Sequence, residues 1–509
     1  MDLLLTIAFS VVTIAAAIYV AFELRLLLGY LLMPKSHPPA RPEQNNPVRA
    51  SRPIPAVVVQ LPLFNEGTIA LAIVEAVCAF DYPAEHLQIQ VLDDSTDDTP
   101  VLLAPLIARM QARGLDIRHM RRGNRQGWKA GALAWGLAES TAEFVAIFDA
   151  DFVPSPDFLR RILIDSVVFD DPATAFLQAR WTYTNSDQNL LTRAQSILID
   201  RHFAIQKPYQ LTKGRTLAFN GSAGLWRRSA IDAAGGWSAD TLCEDLDLSY
   251  RCALVGLKGK YDFALSCPSE IPSSILAFKL QQRRWAKGSA QCFRKLGADV
   301  FRSRQIRHHW EDIYAMAGYV VHPIMLVYFL LWPWVVRGDL PWPLLLASQA
   351  CMTIANITVI SGFLMAAFAL GQRAGANLFG SLAFALILGM ALIVNTTLAF
   401  FAGLFEKAGV FERTPKHGRG KRTTRSESLQ LRLHWSIYFE IAFLVYMLWL
   451  TILLFASHHA GAAISCAVFV GSMGFIVLSQ LTDRFGPRIR LMTEQAAAFC
   501  RLATPRSSS

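Results

Sequence analysis

The sequence predicts an α/β domain with a mainly parallel sheet, set between helices that cross a membrane. Three observations lead there. Between residues 55 and 148, short apolar β-branched runs alternate with helical stretches. Long apolar runs fill 3–33 and most of 311–481, whereas 34–310 carries charges throughout. Acidic residues recur at the ends of the strand-like runs. Strands separated by helices of this length pair in parallel, with helices on both faces. Runs of 18 or more apolar residues are long enough to span a bilayer.

Taken in order, Leu3–Met33 has no basic stretch before it and no small-residue cleavage site after it. It is longer than the apolar core of a signal peptide, so residues 1–33 are expected to be a retained anchor. Only Asp2 precedes this span, while Lys35, Arg41, Arg49 and Arg52 follow it. The excess of positive charge on cytoplasmic flanks therefore puts the N-terminus outside and the domain that follows inside. Residues 34–54, rich in Pro and polar groups, read as a linker before a catalytic domain at 55–270 and interfacial helices at 271–310.

Two spans are expected within 311–371, and two more within 435–482. The intervening loop, 406–434, holds Lys407, Arg413, Lys416, Arg419, Lys421, Arg422, Arg425 and Arg432 and should be cytoplasmic. An even number of crossings must then separate 310 from 406. The run 376–405, with Asn377, Asn395, Thr396 and Thr397, is the one expected not to cross but to lie in the interface or re-enter. That leaves about five spans, and a tail at 483–509 on the cytoplasmic side. The net charge of +10 belongs mostly to these membrane flanks, so no nucleic-acid partner is expected. Eight scattered cysteines with no Cys-x-x-Cys pair argue against a zinc site or a disulfide framework.

Within 55–270 the strands are expected at Val57–Leu61, Leu87–Leu92, 115–120 and 144–148, with helices ending near Ala79 and at 101–113 and 128–140. Ligands of such sheets bind beyond the carboxyl ends of the strands. The notable residues fall there: Asn65 and Glu66, Asp93 and Asp94, then Asp149 and Asp151. Asp149 and Asp151 stand two apart and point the same way on an extended segment. They suit a hard divalent cation holding a diphosphate, and equally an acidic turn closed by Pro154-Ser155-Pro156. Ser95 or Thr96 is expected to cap the next helix, leaving Asp94 for a nucleotide. Lys129 opens a helix rich in small residues, where an ammonium suits a phosphate as well as it suits solvent.

Thr241 and Glu244 have the spacing of a capping box, which gives Glu244 a structural role and leaves Asp245 as a candidate general base. Gln281, Arg284 and Trp285 share one helical face and make a flat hydrogen-bonding platform for a sugar ring. An amphipathic helix with a Trp anchor on a membrane has the same pattern.

In order along the chain, Asp93-Asp94, Asp149-Ala-Asp151, Cys243-Glu-Asp245 and Gln281-Gln-Arg-Arg-Trp285 resemble the motifs of family 2 glycosyltransferases of the cellulose synthase superfamily. Leu92-Asp-Asp-Ser-Thr-Asp97, Gln178-Ala-Arg-Trp181 and Phe219-Asn-Gly-Ser-Ala-Gly224 bring it nearest to the mannan and glucomannan synthases, over roughly 55–300. The resemblance implies a GT-A (Rossmann-like) fold, a nucleotide-sugar donor, Mg2+ or Mn2+, and inversion to a β-linkage. It implies that Glu66, Asp94, Lys129 and Asp149 bind the donor and that Asp149 and Asp151 hold the metal. Asp245 would be the base, and Gln281, Arg284 and Trp285 would seat the acceptor.

The expected function is transfer of a hexose from GDP-mannose or UDP-glucose to a growing β-linked mannan, glucomannan or glucan, secreted through the plasma or inner membrane. A glycolipid glycosyltransferase is the alternative. Cys243, where the family usually has Thr or Val, and Arg413-Thr-Pro-Lys416, a partial match to its gating loop, depart from the pattern.

Overall fold

A computed structural model of the chain describes residues 2–33, 53–337, 340–372, 375–406 and 433–503. The basic loop around Arg413–Lys416, most of the linker and the last residues of the tail lie outside the described residues. The chain opens with helix α1 (Asp2–Leu31). The domain that follows runs β1 (Val57–Leu63), α2 (Ile69–Cys78), β2 (Leu87–Asp93), α3 (Thr99–Gln111), β3 (Asp116–Met120), α4 (Trp128–Ala138) and β4 (Phe144–Ile147). It continues with α5 (Phe158–Leu163), β5 (Thr174–Tyr183), α6 (Leu190–Arg201), α7 (Lys207–Thr212), β6 (Gly224–Arg227), α8 (Arg228–Ala233), α9 (Glu244–Leu254) and β7 (Lys258–Ser269).

The seven strands form one sheet in the order β3-β2-β1-β4-β6-β5-β7. β3, β2, β1 and β4 are mutually parallel, as the alternation of strand and helix requires. The sheet is mixed, however, because β6 is antiparallel to both β4 and β5, while β5 pairs with β7 in parallel. Both faces are covered, and the pleat divides the strands between two cores. Val57, Val59 and Leu61 of β1 and Ala146 of β4 enter one. Val58, Val145 and Ile147 enter the other, as side chains two apart must. The side-chain amide nitrogen of Gln60, fully buried at the sheet centre, donates to Gln90 at 3.0 Å and to the Leu133 carbonyl.

Past the sheet come α10 (Ile275–Arg302), α11 (His309–Met316), α12 (Val321–Arg337), α13 (Trp342–Ala369), α14 (Ala376–Ala391), α15 (Ile393–Phe405), α16 (Ser436–Ala456) and α17 (Ala460–Ala503). Among the described residues, five helical segments are long and apolar enough to cross a membrane: Leu3–Leu31, Gly318–Val335, Trp342–Ala369, Ser436–Ala456 and Ala460–Phe485. α14 and α15 meet at a bend of 49° and together make a broken apolar unit. Of the polar residues of 376–405, Asn395, Thr396 and Thr397 are buried, and Asn395 donates to the Lys279 carbonyl of α10 at 3.3 Å. α17 runs on to Ala503, so much of the stretch read as a tail is helix.

Two expected caps are not formed. α9 begins at Glu244 with Cys243 as its N-cap, so Glu244 is the first helical residue, not the third, and no Thr241–Glu244 capping box closes. α3 begins at Thr99, with Asp97 accepting from the Thr99 amide at 3.0 Å. Ser95 and Thr96 instead bond to Asn65.

Candidate active site

The carboxyl ends of β1, β2 and β4 converge at one cavity, of about 170 Å³. The nine residues given a binding or catalytic role from the sequence line it: Glu66, Asp94, Lys129, Asp149, Asp151, Asp245, Gln281, Arg284 and Trp285; Asn65 and Asp93, also at the strand ends, do not. Strand register explains the first group. Leu63 pairs with Asp93, and the Asp94 amide donates to the Leu63 carbonyl at 3.0 Å, so the chain turns out of the sheet at matched positions.

Asp93 is spent on structure. Its carboxylate accepts from the Ser95 amide at 2.9 Å and meets His119 Nε2 at 2.8 Å. Burial alone would raise this acid, but those hydrogen bonds outweigh it and hold the carboxyl below its ordinary range. Asp94 faces the cavity and is gripped by the fork of Arg122, whose Nε lies 2.9 Å from Oδ1 and whose Nη2 bonds Oδ2. The same guanidinium donates to the Gln126 and Trp128 carbonyls and so ties the turn before α4 to Asp94.

That turn has an unusual backbone. Gly127 (φ 71°) and Trp128 (φ 49°) are consecutive left-handed residues, a conformation costly for an indole side chain. It sets Lys129 at the head of α4, where Nζ lies 2.6 Å from Asp149 Oδ1, 2.9 Å from the Gly221 carbonyl and 3.6 Å from Glu244. Burial would depress this ammonium, yet Asp149, Glu244 and Asp245 together hold it above its ordinary value. Lys129 is thus charged. Asp151 accepts from the Glu270 amide at 3.1 Å.

Asp245 comes from the first turn of α9. Gly221 (φ 80°) separates it from Lys129: a β-carbon there would stand 3.1 Å from Asp245 Oδ2 and 3.5 Å from Lys129 Nζ. Withdrawal from water, then repulsion by Glu244, raises the Asp245 carboxyl to about 7, against the pull of Lys129. Behind it Lys207 is wholly buried, pushed down to about 7 by that burial while Asp245 pulls the other way.

Gln281, Arg284 and Trp285 all sit on α10, which is held on two sides. Toward the domain, Gln291 accepts from the Leu242 amide at 2.9 Å, and Gly288 lets Cys243 pack closely. A β-carbon at Gly288 would lie 2.3 Å from the Cys243 sulfur. Toward the apolar helices, Lys279 pairs with Glu440 of α16 and donates to Gln480 of α17 at 2.8 Å. Asp483 accepts from the Ile275 amide at 3.0 Å.

Several cavity residues were given no place in the site by the sequence reading: Phe64, Arg125, Trp128, Asn220, Glu244, read only as a cap, and Glu270. Glu270 follows β7, a strand the sequence did not reveal, and no local pattern marks Arg125. Asn220 could have been picked out from the Phe219–Gly224 motif.

Residues 58–233 match the family model for glycosyl transferase family 2. Glucomannan 4-beta-mannosyltransferase 2 of Arabidopsis thaliana is 38% identical over 314 residues, which is 61% of this chain and 58% of that protein. Glucomannan 4-beta-mannosyltransferase 1 of Oryza sativa subsp. japonica is 39% identical over 281 residues, 54% of this chain and 53% of that protein. The chain thus spans a little over half the length of these curated relatives. Among solved structures, a mannosyltransferase from Pyrobaculum calidifontis in complex with GDP-Man and Mn2+ aligns with a TM-score of 0.49 at 20% identity, over 72% of this chain and 98% of that one. The match to glycosyl transferase family 2 thus falls on residues 58–233, within the mixed sheet that is joined to the apolar helices.

Proposed function

We propose that this protein is a membrane-integral, inverting hexosyltransferase that extends a β-linked polysaccharide of the mannan type from a nucleotide sugar. The observation that carries the reading is the meeting of Asp245 and Lys129 on either side of Gly221. A proton acceptor and a buried cation stand within one sugar's reach of each other. The plant relatives named for glucomannan mannosyl transfer support the sugar class.

In this reading the Asp245 carboxylate takes the proton from an acceptor hydroxyl. The freed oxygen bonds to the anomeric carbon as the bond from that carbon to the diphosphate breaks, and the diphosphate leaves with the electron pair. Lys129, already charged, meets the negative charge that develops on the leaving group. Asp94, Glu66 and Asp149 line the donor half of the cavity. Gln281, Arg284 and Trp285 line the acceptor half, where the Gln281 carbonyl oxygen is buried without a partner among the described residues and suits a sugar hydroxyl.

Among the described residues no group of three or more His, Cys, Asp or Glu side chains forms a closed metal site. Two carboxylates are nonetheless the usual protein share of a Mg2+ or Mn2+ site completed by phosphate oxygens. Asp149 and Asp151 fit that share, and the ion would add Lewis-acid stabilisation of the leaving diphosphate. By charge bias, the catalytic domain and the loop 406–434 face the cytoplasm.

The test is incorporation of radiolabelled GDP-mannose and UDP-glucose by membranes containing the protein, with Mg2+ or Mn2+ and with EDTA, the products divided into polymer and extractable lipid. Polymer digestible by a β-mannanase, lost with EDTA, is the expected result. Asp245→Asn should lower transfer about 10²–10⁴-fold while donor binding survives. Label confined to the lipid phase would replace this reading with glycolipid synthesis.

A further inference from the structure

The segment that joins α10 to α11 sorts its charges by side. The acidic residues of α11 turn inward. Glu311 is held by Arg25 and His308, each at 3.0 Å, and by Arg215 at 3.6 Å, while Asp312 accepts from the Thr216 hydroxyl at 3.1 Å. Arg302, Arg304 and Arg307 turn outward; all three are exposed and make no ion pair among the described residues. Asp299, exposed one turn earlier on α10, pairs with none of them. Phe301 and Trp310, which flank these arginines in the chain, are exposed aromatic rings packed edge to face with centroids 5.1 Å apart. The segment is fixed from its inner side: Ile306 is buried with Tyr250, Leu296 and Met316, and His309 Nδ1 lies 2.8 Å from the Val300 carbonyl.

Contacts with α1 give its depth. Tyr314 stacks on Phe22 with ring centroids 4.8 Å apart, and Glu311 meets Arg25, so α11 lies beside residues 22–25. The apolar run of α1, Leu3–Leu31, has 29 residues. At about 1.5 Å per residue it is roughly 43 Å long, the thickness of a bilayer with its headgroup regions. Arg25 stands six residues before the end of that run, about 9 Å below it, close to where headgroups meet hydrocarbon. Trp310, next to Glu311, is therefore at the depth where Trp gathers in membrane proteins. The arginines precede it in the chain, on the side away from the apolar helix Gly318–Val335.

We propose that residues 301–310 form a docking surface for the anionic phospholipid headgroups of the membrane that the apolar helices cross. Phe301 and Trp310 enter the interface, and the three guanidiniums meet the phosphates, which their planar forks fit. Basic residues beside a span are attracted to a leaflet of net negative charge. α10, which carries Gln281, Arg284 and Trp285, is thereby held to the bilayer at its far end. The proposal rests on the apolar helices lying in a bilayer and not on which sugar is transferred.

Native mass spectrometry of the purified full-length protein in detergent, given phosphatidylglycerol and phosphatidylcholine of the same chains together, tests it. The wild-type protein is expected to retain phosphatidylglycerol preferentially. Each basic residue near an anionic surface strengthens the attraction about five-fold. Arg302→Gln, Arg304→Gln and Arg307→Gln together should therefore lower the preference by up to roughly 10²-fold. Arg302→Lys, Arg304→Lys and Arg307→Lys together should keep most of it. The side chains are exposed and unpaired among the described residues, so both variants should keep the wild-type gel-filtration profile. Lys421→Gln, Arg422→Gln and Arg425→Gln, which remove the same charge from the loop 406–434, should cost less. An equal cost would overturn the proposal, because the effect would then be one of net charge. An unchanged preference in the first Gln variant would overturn it too, as would displacement of phosphatidylglycerol by inorganic phosphate or GDP, which marks a site for a soluble phosphate. If alkaline carbonate strips the protein from membranes, the membrane reading itself fails, and this one with it.

Discussion

The two halves of the cavity are built by different means. The half proposed for the donor stands on strand ends: Glu66 beyond β1, Asp94 beyond β2, Asp149 and Asp151 beyond β4. Parallel strands in register deliver these side chains to one edge of the sheet, and buried hydrogen bonds such as Ser95–Asp93 and Arg122–Asp94 lock them. The half proposed for the acceptor stands on a single helix, α10, whose position is set by what it packs on. Its N-terminal end is fastened to α16 and α17 through Lys279, Glu440, Gln480 and Asp483. Its middle is fastened to the Asp245 loop through Gln291 and Gly288. The donor half is thus intrinsic to the domain, while the acceptor half is shared with the apolar helices.

Of the two halves, the larger effect should come from the proposed donor half. Lys129→Met removes the cation that bridges Asp149 and the Gly221 carbonyl, and with it stabilisation of the leaving group. Turnover is expected to fall about 10²–10³-fold, with the acceptor KM nearly unchanged; a rise in acceptor KM alone would break the division. Glu440→Ala attacks the other half. It strands a buried lysine, and removing one partner of such a pair costs about 3–5 kcal/mol, visible as a lower unfolding temperature in detergent. Membranes that still hold folded Glu440→Ala protein should show a raised acceptor KM with the donor KM unmoved.

The smallest effect, and the one that joins the halves, is that of pH. In the proposed reaction the carboxylate form of Asp245 accepts the proton, and burial has raised its pKa to about 7. The active form is therefore lost as pH falls through that value, so kcat/KM should drop about tenfold per unit below it and level off above. A profile flat down to pH 5 would remove Asp245 from the role of base.

Much of this was legible in the sequence, for a local reason. β1, β2 and β4 are short, largely apolar runs because both their faces are buried, and the acidic residues just beyond them mark the ligand edge. β5, β6 and β7 escaped. β5 mixes apolar positions with Gln178 and Arg180, β7 carries Lys258, Lys260 and Asp262, and β6 has four residues. No run of them is long or apolar enough to stand out, and the reversed β6 cannot be inferred from an alternation that implies parallel pairing. The caps failed similarly, because Thr241–Glu244 has the right spacing while the helix starts two residues later than a box requires.

By itself, the sequence determined the domain type, the apolar helices and the nine cavity residues, all of which follow from local pattern and from motif. Tertiary structure alone decided what those residues touch. It stacked Arg125 on Phe64 from another strand end, set Asp245 beside Lys129 across Gly221, and closed the Lys279–Glu440–Gln480 cluster from three helices far apart in the chain. The physical reason is range. Strand and helix periodicity act over a few residues, whereas the charge on a buried group depends on neighbours that only the closed fold brings near.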